Sequence, residues 1–137
     1  MCPGGWVRGL PASTDAIKER LMKKFLVLYM VPPSVMDEWQ RKPADERKAA
    51  ENKMSGEIQV WTGGRSKLFA DRGAGLGKAK RVTSSGVTDA RNELAMYAIV
   101  QGDSQDAVAQ AYLSHPHLQI PQSSIEVMEL FPLPDQK

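Results

Sequence analysis

Apolar residues occupy both alternating faces of Lys24–Met30, the pattern of a strand buried on two sides. Pro32 and Pro33 end it. Val35, Met36 and Trp39 fit one or two helical turns opened by Ser34. Pro43 then suits the first position of a helix, with Asp45 and Glu46 in the first turn, where the helix dipole favours acids. Ala50, Met54, Ile58 and Trp61 fall at i, i+4, i+8 and i+11, one face of a long helix. Gly56 weakens that helix by about 1 kcal/mol relative to alanine, and Gly63-Gly64 stops it.

Lys67–Asp71 reads as a short strand, followed by a glycine-rich stretch and then Ala79–Thr83. Ser84-Ser85-Gly86 is a turn signal. Glu93–Gln101 is again apolar on both faces, with Leu94, Met96, Ala98 and Val100 against Ala95, Tyr97 and Ile99. Asp103 or Ser104 caps a second helix whose buried face is Ala107, Val108, Ala111 and Tyr112, and Pro116 terminates it. Ser124–Phe131 is the last strand, before Pro132 and Pro134. The order is β-α-β-β-α-β, an α+β domain of ferredoxin-like layout with an antiparallel sheet and its helices on one face. Two helices cover one face only, while the first, third and last strands are apolar on both. A second copy of the chain is the simplest cover, so a homodimer is expected.

Residues 1–21 differ from the rest, with Gly, Pro and Ser, scattered charges and no sustained period. They read as a flexible leader, followed by a single domain over residues 22–137. The 42% hydrophobic and 25% charged content is that of a globular chain rather than a disordered one. A formal net charge of +2 leaves no electrostatic footprint for nucleic acid, so no such partner is expected. The apolar run Phe25–Val31 is too short to span a bilayer, and no membrane partner is expected either. The one cysteine, Cys2, makes no internal disulfide, and no cysteine cluster suggests zinc. A cytoplasmic location, with no metal and no cofactor, is the resulting expectation.

Gly73-Ala74-Gly75-Leu76-Gly77-Lys78 invites a nucleotide reading and fails it. The dinucleotide fingerprint needs G-x-G-x-x-G between a strand and a helix, whereas here the spacing is G-x-G-x-G and a strand follows. A phosphate loop needs glycine at position 72 and Ser or Thr at 79, where this chain has Arg72 and Ala79. The basic cluster Arg72, Lys78, Lys80 and Arg81 suits a charged edge strand. It also suits one wall of an anion pocket, with Arg81 best placed to grip a carboxylate through its fork. The only two histidines, His115 and His117, flank Pro116 at a helix end, where one can serve as general acid or base and the other as a cap. Spacing of i, i+2 in extended chain sends their rings to opposite sides. Glu126 shares a strand face with Met128 and Leu130 and faces either solvent or a pocket between subunits. Trp61 and Tyr97 are aromatic candidates for the core, the dimer interface or ligand contact.

As an ordered set, these segments resemble the YCII-related superfamily, in its DGPF-type branch. The likeness runs from Lys23-Lys24-Phe25-Leu26-Val27-Leu28-Tyr29 through Gly86–Tyr97 to His115-Pro116 and Ile125-Glu126-Val127. It implies a dimeric α+β barrel of ferredoxin-like subunits. The tetrapeptide that names the branch stands here as Ser85-Gly86-Val87-Thr88, keeping only its glycine, and the acidic and basic positions after it match Asp89 and Arg91. Enzymatic members of the wider superfamily use a histidine in the first helix paired with an aspartate. Residues 43–62 hold no histidine, and His115 stands where the aspartate motif would fall. The expectation is therefore a dimeric small-molecule-binding or accessory module. The alternative is an enzyme acting on a small polar or aromatic substrate through a histidine.

Overall fold

The structure, a computed structural model, describes residues 23–134. The expected leader over residues 1–21 lies outside the described residues. In chain order the elements are β1 (Lys23–Met30), α1 (Pro33–Arg41), α2 (Ala44–Gly63), β2 (Phe69–Gly75), β3 (Ala79–Thr83), β4 (Gly86–Ala90), β5 (Leu94–Gly102), α3 (Gln105–Ala111) and β6 (Ser124–Glu129). Single 3₁₀ turns at Ser66–Leu68, Tyr112–Ser114 and Pro116–Gln119 link them. Four strands form one sheet in the order β2-β5-β1-β6, and every neighbouring pair is antiparallel. β3 and β4 form a separate hairpin. The chain is α+β with antiparallel sheets, as its periodicities lead one to expect.

Period-two alternation sorts the sheet into two faces. Phe25, Val27 and Tyr29 of β1 and Ala98 and Val100 of β5 are buried on one face, which Ile125 and Val127 of β6 extend. Trp61 from α2, Val108 from α3 and Tyr112 close over them. Each fully buried large apolar side chain here stabilises the fold by roughly 1.5–3 kcal/mol. The opposite face runs in cross-strand rows, Glu126–Leu28–Tyr97 and Met128–Leu26–Ile99. It is half-buried to exposed, and Met128 is 48% accessible.

The helices start where local chemistry puts them. Ser104 caps α3, its hydroxyl accepting from the Ala107 N–H at 3.1 Å. Pro43 precedes α2, which keeps Asp45 and Glu46 in its first turn and ends at Gly63. On the expected helix faces, Trp61, Val108 and Tyr112 are buried and Met54, Ile58 and Ala111 half-buried, but Ala50 and Ala107 are exposed. Alanine carries too little apolar area to dictate which way a helix turns. The final strand stops at Glu129 rather than Phe131.

The glycine-rich stretch has a backbone role. Gly73 lies in an irregular part of β2, at φ +73°, where a Cβ would come within 1.8 Å of the Tyr97 carbonyl oxygen. Its N–H donates to Asp71 Oδ1 at 2.8 Å. Only glycine fits that conformation and that approach.

Candidate functional site

Two places gather polar chemistry. The first forms where β1 ends beneath the segment that follows α3. Alternation turns Tyr29 into the core, and its hydroxyl meets the Tyr112 hydroxyl at 2.9 Å. Tyr112 stacks on His115 with ring centroids 5.5 Å apart and 22° between planes. Trp61 closes on His115 at 4.6 Å, and its indole N–H donates to Ser114 Oγ at 2.9 Å. The Arg65 guanidinium lies over the Trp61 ring, 4.4 Å from its centroid, and donates to the Trp61 carbonyl at 3.0 Å.

Extended chain would part the two histidine rings, and the structure corrects that expectation. Pro116 opens a 3₁₀ turn, so both rings pack on Tyr29, at 5.2 and 5.5 Å. The Nδ1 of His115 accepts the His117 backbone N–H at 3.0 Å. His117 Nε2 donates to the Met30 carbonyl at 3.1 Å, and the His117 carbonyl accepts from Ser123 Oγ at 2.9 Å. The rings are only 3% and 7% accessible.

Burial sets the ionisation of this cluster. It pushes the His115 imidazolium down to about 4, helped by the neighbouring His117 and Arg65 charges. Burial also lowers His117, partly offset by backbone groups of Met30 and Ser124 that favour the charged ring. Tyr29 and Tyr112 are both raised by burial, so neither ionises near neutrality.

Both histidines are therefore neutral at pH 7. Because Nδ1 of His115 accepts a hydrogen bond, the neutral ring carries its proton on Nε2. Nε2 has no hydrogen-bond partner among the described residues. Nε2 therefore presents a donor. To act as a base at Nε2, the ring would have to move its proton to Nδ1 and break its own cap.

The second place is a cleft of ≈ 440 Å³ at the root of the β3–β4 hairpin, lined by Lys78, Lys80, Asp89, Arg91, Asn92 and Leu94 among others. Lys80 pairs with Asp89 across the hairpin. Arg91 forks onto Asp37 of α1 at 3.0 and 3.3 Å, which draws the Asp37 carboxyl below its usual range. No described carboxylate lies within ion-pair distance of Lys78. A more open groove of ≈ 470 Å³ lies beside Arg65, Lys67 and Ala111.

The residues singled out from sequence thus fall into three sets. His115, His117 and Trp61 come together in the aromatic cluster, and Asp89 and Arg91 meet at the cleft. Tyr97 and Glu126 share a row on the open sheet face, on either side of Leu28. Arg81 stands on the hairpin, exposed and outside the cleft lining. Tyr29, Tyr112 and Arg65 were missed as site residues. The Tyr29–Tyr112 bond spans 83 positions, and nothing local in the sequence announces it.

Among the described residues no group of three or more His, Cys, Asp or Glu side chains is placed to hold a metal ion. No described helix is long and apolar enough to cross a membrane. Comparison with known families finds no matching family model, and comparison with curated proteins finds no match.

Proposed function

We propose that this chain is a dimeric small-molecule-binding or accessory module, a ferredoxin-like α+β barrel of the YCII-related, DGPF-type kind, in which the histidines serve the core. The observation that carries this reading is the cap of the His117 N–H on His115 Nδ1. It holds Nε2 as a donor and leaves the ring unsuited to general-base work. His117 is engaged on the Met30 carbonyl. The strand order β2-β5-β1-β6 and the apolar rows Leu28–Tyr97 and Leu26–Ile99 support the barrel and the dimer. The cleft beside Lys78, Asp89 and Arg91 is the place for the small molecule.

A second reading, an enzyme with His115 as general acid toward a small polar or aromatic substrate, draws on its Nε2–H, which has no partner among the described residues, and on the Trp61 and Tyr112 rings beside it. A thermal-shift screen of metabolites against the parent, Lys78→Ala and His115→Ala separates the two. On the module reading, a ligand that raises the parent's melting temperature binds Lys78→Ala about tenfold or more weakly and His115→Ala unchanged. Binding that survives Lys78→Ala and vanishes in His115→Ala overturns it in favour of the enzyme.

A further inference from the structure

The β3–β4 hairpin stands outside the four-stranded sheet and packs extensively on no other described element. A two-stranded hairpin is at best marginally stable alone in water. This one also exposes an apolar pair, since Val82 and Val87 are cross-strand partners at 74% and 63% accessibility. The other face of the hairpin carries Arg81 opposite Thr88. No described carboxylate pairs with Arg81. The outer edge of β3 bonds to no described strand. β3 therefore offers a free edge with a lone cation on one face and, one residue on, a valine on the other.

The complement sits at the far side of the sheet. Among the described residues β6 is an edge strand, bonded to β1 on one side and to no strand on the other. Glu126 and Met128 point to the open face, while Ile125 and Val127 extend the core. Glu126 is exposed and in no ion pair among the described residues. The Val127 carbonyl accepts from the exposed side chain of Gln105 at 2.8 Å, a bond that an incoming backbone N–H can replace.

Residues laid edge-on against a strand alternate between the faces of the extended sheet. A register that sets Arg81 beside Glu126 therefore sets Val82 on the face of Ile125 and Val127. Arg81 then meets a carboxylate and Val82 an apolar neighbour, while Lys80, on the Val82 side, is already paired with Asp89. Within one chain the hairpin leaves from β2 and β5, and it does not pack extensively on β6 at the opposite edge.

We infer that the hairpin is an arm whose β3 strand adds edge-on to β6 of a second copy of this chain, pairing Arg81 with the other copy's Glu126. The inference rests on the dimer proposed above and specifies its contact. Two-fold symmetry makes the contact twice, which buries both hairpins and blunts both β6 edges. Sedimentation velocity over a dilution series tests it with Arg81→Glu, Glu126→Arg and the two combined. Both changes are at exposed positions, and circular dichroism establishes that each variant is folded. Each single reversal is expected to weaken the dimer about tenfold or more, and the double reversal to restore most of that loss. A parent dimer indifferent to Arg81→Glu, or a double variant no tighter than the singles, overturns the arm and leaves the dimer standing. A monomeric parent overturns both.

Discussion

Acidification from pH 7 to pH 4 is expected to destabilise the fold by about 3 kcal/mol through His115 alone. The ring's folded value, about 4, lies below its ordinary 6.5, so the unfolded chain takes up the proton first. The neutral ring's contribution is complete above 6.5, is lost as pH falls from there towards 4, and is level below that. His117 is lowered for the same reason and adds to the loss. Protonating His115 also places a proton on Nδ1, where the His117 N–H now donates. Urea denaturation at several pH values measures the slope, and a His115→Gln variant should lack most of it between pH 6.5 and 4. An equal slope in parent and variant would show that the ring is not buried neutral.

The other large effect belongs to the tyrosine pair. Tyr29 is 2% accessible and touches Tyr112 and both histidines, so Tyr29→Ala opens a cavity and should lower stability by about 3–5 kcal/mol. Tyr29→Phe keeps the ring and removes only the hydroxyl bonded to Tyr112. It leaves a buried hydroxyl without its partner and should cost about 1–3 kcal/mol. Removing both hydroxyls in Tyr29→Phe with Tyr112→Phe should recover most of that loss, because no unsatisfied group remains. Chemical denaturation of the three variants decides it. Additive losses in the double variant would mean that the two hydroxyls act independently.

What could be read from sequence depended on how local its cause was. β1 and β5 were plain because Phe25–Met30 and Leu94–Val100 are unbroken apolar runs of strand length. The Gly63-Gly64 stop and a cap at Asp103 or Ser104, which the structure gives to Ser104, depend on a few neighbouring residues and were equally legible. β4 was missed although its turn, Ser84-Ser85-Gly86, was seen. Gly86–Ala90 is five residues, mostly exposed, and has strand form through its pairing with β3. His115, His117 and Trp61 could be named from sequence, but their common packing on Tyr29 and Tyr112 is a tertiary fact. The turn that Pro116 opens redirected the rings, against the geometry of extended chain. Asp89 and Arg91 came from family likeness. Their shared cleft depends on the hairpin's root folding back beside Leu94, which no spacing in the sequence encodes.

Sedimentation equilibrium of the unaltered chain at micromolar concentration tests the dimeric module most directly. The open rows Glu126–Leu28–Tyr97 and Met128–Leu26–Ile99 need a cover, and the hairpin needs a support. A mass of twice 15.1 kDa is the predicted result, and a single species of 15.1 kDa would contradict it.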